Sequence, residues 1–141
     1  EEGVYTESQA GSFFFMDDQY LEVWESDGTT PPFEQALFVQ TAVHSASHAG
    51  VVTTDAGSKR FATDGGRVRI ASRLPVAAEY RFHGDEHGKV HFADGRNHLA
   101  IGDRIECVPT HCDPTIALYD RIHCVRGDVL VDVWAVDAQG V

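Results

Sequence analysis

Apolar and polar residues alternate with a period of two over most of the chain, as in short β-strands that bury one face. From residue 36 onwards this pattern predicts seven strands. They cover residues 36–43, 51–54, 67–70, 89–92, 104–107, 116–125 and 129–134. Turn signals containing glycine separate these segments, and Arg126-Gly127-Asp128 predicts a hairpin. We therefore predict a mainly β fold, arranged as a small sandwich or barrel.

The start of the chain follows another pattern. The apolar run 13–15 comes after Gly11 and Ser12 and predicts a buried strand, as in a parallel sheet. Asp17 and Asp18 then predict the N-terminal cap of a short helix that reaches Trp24. Turn-forming residues at 26–32 end this part. A lone strand and helix are typical of the last β/α unit of a larger domain. We divide the chain into residues 1–30, that unit with a linker, and residues 31–141, a β domain.

Composition limits the partners. The chain has 141 residues, of which 43% are hydrophobic and 23% charged, as expected for one domain with a packed core. Eleven basic against 22 acidic residues give a formal net charge of −11, which argues against nucleic acids and anionic membranes. No apolar run approaches the roughly 18–20 residues of a membrane span, and no signal-peptide pattern is visible. We expect a cytoplasmic protein whose three cysteines are reduced thiols.

His111 and Asp113 form the most informative motif, in a stretch flanked by Pro109 and Pro114. Residues two apart on an extended segment point to the same side. An imidazole and a carboxylate that project together suit a divalent ion such as Mn²⁺ or Zn²⁺ and leave coordination positions open for a substrate. The alternative is that both are hydrogen-bonded loop residues. Cys112 between them is either a nucleophile or, as we expect, a structural thiol.

Two further groups carry alternative interpretations. His83, His87 and His91 recur every fourth residue, which would align them on a helix, but glycines and the strand pattern favour a solvated turn. Either Glu86 or His87 could still face an active site. Gly11 and Ser12 could bring backbone N–H groups close to a phosphate, or could simply begin the strand tightly.

Five ordered segments resemble the C-terminal part of the D-threonine aldolase / D-serine dehydratase family. They are residues 9–17, 54–59, 85–88, 102–115 and 132–140, so the resemblance covers nearly the whole chain. The resemblance implies a pyridoxal-phosphate (PLP) enzyme of the alanine-racemase fold type, in which a β/α barrel precedes a β domain. Residues 1–15 would then be the last barrel strand, and the helix from Asp17 to Trp24 the last barrel helix.

The resemblance also implies roles for single residues. Gly11 and Ser12 match the turn that holds the cofactor phosphate, and His111 with Asp113 matches the pair of metal ligands. By this resemblance, the pair is His-x-Cys in dehydratases of the family and His-x-Asp in aldolases. Asp113 therefore favours the aldolase branch. The lysine that would carry PLP is absent, because neither Lys59 nor Lys89 has an obvious apolar pocket.

The implied reaction is cleavage of a D-β-hydroxy-α-amino acid to glycine and an aldehyde. It would use PLP and a divalent metal, Mn²⁺ before Zn²⁺ or Mg²⁺, in a longer homodimeric protein, and this chain alone should be inactive. One alternative is a D-serine or 3-hydroxyaspartate dehydratase of the same family. Another, from a different class, is a non-catalytic β module that binds a metal or a partner protein.

Overall fold

The computed structural model describes residue 3 and residues 6–137. These contain a 3-10 helix at Phe13–Phe15 and two α-helices, α1 at Asp18–Ser26 and α2 at Cys112–Ile116. The strands are β1 (Val39–His48), β2 (Val51–Thr54), β3 (Arg69–Ile70), β4 (Ala78–Phe82), β5 (Gly88–Phe92), β6 (Arg104–Val108), β7 (Arg121–Arg126) and β8 (Val129–Ala135). No helix within the described ranges is long and apolar enough to cross a membrane.

Six strands form one antiparallel sheet in the order β3-β6-β1-β2-β5-β4. The two edge strands, β3 and β4, also lie against each other, so the sheet nearly closes into a barrel. Alternate residues point inwards, as the period-two pattern requires, and Val43, Val52 and Val90 are almost completely buried. Phe61 packs into the same core from the loop after β2. The predicted mainly β, barrel-like fold is confirmed.

Strands β7 and β8 form a separate two-stranded sheet. The predicted turn at Arg126-Gly127-Asp128 connects them, and Gly127 has a φ of 57°, which a tight hairpin turn requires and glycine adopts without strain. The apolar residues of β8 are all exposed to solvent. This hairpin therefore lies outside the core of the barrel.

The predicted buried strand at residues 13–15 is wrong. Phe13–Phe15 is a 3-10 helix, closed by hydrogen bonds from Phe15 N–H to Ser12 O (2.9 Å) and from Met16 N–H to Phe13 O (3.2 Å). A strand needs a neighbour to pair its backbone groups, and no described strand lies beside this segment. Local hydrogen bonds satisfy its backbone instead. The resemblance at residues 138–140, like residues 1, 2, 4 and 5, lies outside the described part.

Two further sequence predictions need correction. The predicted strand at residues 116–125 begins only at Arg121, because the short helix α2 and a turn precede it. Pro114 suits the first turn of that helix, where its missing N–H is not needed. The strand β4 was not predicted, although Ala78, Tyr80 and Phe82 alternate with charged residues. The helix predicted after Asp17 is present as α1.

Candidate metal site

His111 lies three residues beyond the end of β6, where it is the N-cap residue of α2. Its backbone is extended (φ −145°, ψ 125°), whereas Asp113 already belongs to the first turn of the helix. The expectation that both residues lie on an extended segment is therefore wrong for Asp113. Their side chains converge nevertheless, because His111 Nε2 and Asp113 Oδ2 are 3.9 Å apart.

A third side chain, which the sequence analysis did not identify, contacts His111. His111 Nδ1 lies 2.8 Å from Asp64 Oδ2. This hydrogen bond lowers the pKa of the Asp64 carboxyl. In the sequence Asp64 stands in the stretch Thr63-Asp64-Gly65-Gly66, which indicates a turn, but nothing in that pattern connects it with a histidine 47 positions later.

Asp17 fixes the backbone on the other side of His111. Its Oδ1 accepts a hydrogen bond from Tyr20 N–H (3.1 Å), and its Oδ2 accepts one from Cys112 N–H (2.8 Å). One carboxylate therefore caps both α1 and α2. The Cys112 side chain is completely buried, and burial followed by the charge of Asp17 raises its pKa to about 12. Such a thiol is a poor nucleophile, as the structural interpretation of Cys112 expects.

The geometry of His111 and Asp113 fits a divalent ion. Two ligand atoms that each lie about 2.1 Å from one ion are at most about 4.2 Å apart, and the observed separation is 3.9 Å. The side chains of His111 and Asp113 are 30% and 61% exposed, so the remaining coordination positions would face solvent or a substrate. The described residues contain no group of three or more histidine, cysteine or acidic side chains arranged around one ion. Two ligands with an open side suit a substrate-binding ion rather than a closed structural site.

The turn at Gly11 and Ser12 fits an oxyanion through its backbone. Gly11 is left-handed (φ 61°) and Ser12 has φ −90° and ψ 20°, an alternation that turns successive N–H groups towards one point. The side chain of Ser12 is buried. Only the backbone of this turn is therefore suited to a phosphate group.

Glu86 and His87 contact Lys59 and His44, which lie outside the candidate metal site. Glu86 Oε1 forms an ion pair of 2.6 Å with Lys59 Nζ, and the imidazole of His87 lies against that of His44 at 4.8 Å between ring centroids. The Lys59 side chain is 60% exposed, and its hydrogen bond to Glu86 raises its pKa. A lysine that forms a Schiff base needs the opposite shift, so Lys59 is unsuited to that role.

An open depression of about 450 Å³ lies elsewhere on the surface, between residues 66–68 and 79–82. Its lining includes Arg67, Glu79 and Tyr80, but neither His111 nor Asp113. This depression and the best pair of metal ligands are thus different places. The donor atoms of the ligand pair, an imidazole nitrogen and a carboxylate oxygen, are those that divalent ions bind.

The described part of the chain thus combines a nearly closed antiparallel barrel with a solvent-facing histidine–carboxylate pair. Residues 36–125 match the family model described as "Putative serine dehydratase domain". The chain belongs to this family, as the sequence analysis expected.

Three of the relatives are aldolases, which are lyases. A 3-hydroxy-D-aspartate aldolase of Paracoccus denitrificans is 36% identical over 98% of this chain and 35% of that protein. A D-threonine aldolase of an Arthrobacter species is 38% identical over 98% of this chain and 35% of that protein. The crystal structure of a D-threonine aldolase from Filomicrobium marinum superimposes with a TM-score of 0.75 and 33% identity, over 86% of this chain and 33% of that one. The chain spans about a third of the length of these relatives.

Proposed function

We propose that this chain is the C-terminal domain of a PLP- and metal-dependent D-threonine aldolase, which cleaves D-β-hydroxy-α-amino acids to glycine and an aldehyde. The observation that carries the proposal is the separation of 3.9 Å between His111 Nε2 and Asp113 Oδ2, with both side chains open to solvent. The names of the relatives support the reaction class, because two of them are aldolases that act on D-β-hydroxy-α-amino acids.

In this proposal His111 and Asp113 hold the ion, and their exposed side faces the β-hydroxyl group of the substrate. A bound divalent ion polarises such a hydroxyl and makes its proton easier to remove. The carboxylate of Asp113 is a hard ligand and admits Mn²⁺ or Mg²⁺ more readily than a thiolate does, so we assign Mn²⁺ first and Zn²⁺ or Mg²⁺ second. The same ligand choice favours the aldolase over the dehydratase, whose pair would contain a cysteine.

We assign the phosphate of PLP to the backbone N–H groups of Gly11 and Ser12, whose alternating conformations suit an anion. When bound, PLP supplies an electron sink for charge that develops at the α-carbon. We assign the lysine that carries it to the remainder of a longer polypeptide, because Lys59 is exposed and paired with Glu86 and Lys89 lies on the partly exposed face of β5. That polypeptide would be a cytoplasmic homodimer, and this chain alone would be inactive.

Binding of Mn²⁺ to the chain tests the metal site directly. His111→Ala removes one of the two ligands. Loss of a residue that only supports a ligand lowers metal affinity by up to about 100-fold. We therefore expect the affinity for Mn²⁺, measured by calorimetric titration, to fall by more than about 100-fold in His111→Ala. His98→Ala is a matched control, because His98 is also hydrogen-bonded to an aspartate, Asp94, at 2.8 Å. Equal binding by His111→Ala and wild type would contradict the assignment.

The reaction is tested in a polypeptide of the relatives' full length that carries these residues. We expect glycine to form from D-threonine in the presence of Mn²⁺, and His111→Ala to reduce this greatly. Formation of pyruvate from D-serine without glycine from D-threonine would support the dehydratase instead. Metal binding without either product would support the non-catalytic module.

A further inference from the structure

The loop that carries Asp64 is fixed against the segment that carries His111. Ala62 N–H donates to Thr115 Oγ1 (2.9 Å), and Thr110 Oγ1 donates to Ala62 O (3.1 Å). Both threonines are 1% exposed. Since they flank His111 in the chain, these buried hydrogen bonds hold the loop on both sides of the histidine. The exposed contact between Asp64 and His111 is therefore supported by a rigid, buried frame.

A glycine makes this close approach possible. A Cβ atom on Gly65 would lie 2.9 Å from Thr110 Cβ and 2.9 Å from Gln19 Nε2. Real side chains do not tolerate such distances to packed neighbours. The residue after Asp64 must therefore be small for the loop to reach the site.

The contact with Asp64 decides which imidazole nitrogen carries the proton. An ionised carboxylate can only accept hydrogen bonds, so His111 Nδ1, 2.8 Å from Asp64 Oδ2, must donate. His111 Nε2 is 3.9 Å from Asp113 Oδ2, beyond hydrogen-bond distance, so Asp113 does not compete for the proton. In the neutral ring Nε2 then has the free lone pair, and it is the nitrogen that faces Asp113.

We propose that Asp64 is a positioning residue that fixes the Nδ1–H tautomer and the orientation of His111, so that Nε2 is presented to a divalent ion together with Asp113. This inference rests on the proposed metal site and adds a residue outside the His-x-Asp motif. A carboxylate behind a histidine ligand commonly sustains metal affinity by about 10- to 100-fold.

The tautomer of His111 tests the proposal without any metal. We expect nitrogen-15 chemical shifts of the labelled chain at pH 8 to show the Nδ1–H form of His111, and Asp64→Ala to shift it towards the Nε2–H form. Asp64→Asn retains an amide oxygen as acceptor and should preserve the wild-type tautomer. Asp94→Ala, which removes the partner of His98, is the matched control and should leave His111 unchanged. An Nε2–H tautomer in the wild type, or no change in Asp64→Ala, would overturn the proposal.

Titration with Mn²⁺ then measures the consequence. We expect Asp64→Ala to bind Mn²⁺ about 10- to 100-fold more weakly than wild type, with Asp64→Asn closer to wild type and Asp94→Ala unchanged. Wild-type affinity in Asp64→Ala would overturn the positioning role even if His111→Ala abolishes binding. If the wild-type chain binds no Mn²⁺, the proposed function fails, and the tautomer measurement still decides whether Asp64 fixes the ring. Because Asp64 is 54% exposed, its substitution should leave the fold intact, which a circular dichroism spectrum checks.

Discussion

Cys112 differs from its two neighbours at this site in exposure and therefore in reactivity. His111 and Asp113 present their donor atoms to solvent, whereas the Cys112 side chain between them is completely buried. Burial raises the pKa values of both Cys112 and Cys107 to about 12. A raised pKa lowers the fraction of reactive thiolate at any pH below it. These two thiols therefore react slowly for two reasons: they stay protonated, and reagents cannot reach them.

We therefore expect iodoacetamide at pH 8 to modify Cys124 first. Cys124 is half-buried in β7; burial and then the charge of Asp132 raise its pKa as well, but reagent can reach its sulfur. Mass spectrometry of peptides from the folded chain should show Cys107 and Cys112 largely unmodified, and the same reagent in urea should modify all three. Labelling of Cys112 as fast as Cys124 in the folded chain would contradict this explanation.

At the scale of elements, the sequence predicts what depends on local periodicity. The strand β2 has the predicted bounds Val51–Thr54, and the Asp17 cap precedes α1 as expected. The 3-10 helix at Phe13–Phe15 could not be predicted, because the apolar run alone does not reveal whether a partner strand is present. The contact of Asp64 with His111 could not be predicted either. The two residues are 47 positions apart in the sequence, and they meet only through the packing of a loop, which no local pattern encodes.

Asp17 connects two elements, and its loss should be costly. Asp17→Ala removes the N-cap of α1, worth about 1 kcal/mol, and leaves the buried N–H of Cys112 unsatisfied, at a cost of about 1–3 kcal/mol. We expect the free energy of unfolding in urea to fall by about 2–4 kcal/mol. Asp103→Ala is the control, because Asp103 accepts a backbone hydrogen bond from Ala100 (2.8 Å) in an exposed turn. A smaller loss for Asp17→Ala than for Asp103→Ala would contradict the double cap.

At the scale of the whole molecule, the chain divides into a barrel with a continuous core and a hairpin without one. Val52 and Val90 lie at the centre of the barrel and are 0% exposed. The hairpin of β7 and β8 instead exposes most of its large apolar side chains. They are Val125, Val129, Leu130, Val131, Val133 and Trp134. The hydrogen bond from Val136 N–H to Asp120 O (3.0 Å) continues the pairing of the two hairpin strands beyond Arg121 and Ala135.

Hydrogen exchange should separate these two parts. An isolated two-stranded hairpin is at best marginally stable in water, so opening β7 and β8 requires little beyond their own hydrogen bonds. Exchange at the central strands β1, β2 and β5 requires the buried core to open. We expect backbone amides of β7 and β8 to exchange much faster than those of β2 and β5, measured by mass spectrometry at neutral pH. Amides near Val52 and Val90 serve as the internal reference for global opening. Equal protection of the hairpin and the barrel would contradict this division, and would mean that opening the hairpin costs as much as unfolding the core.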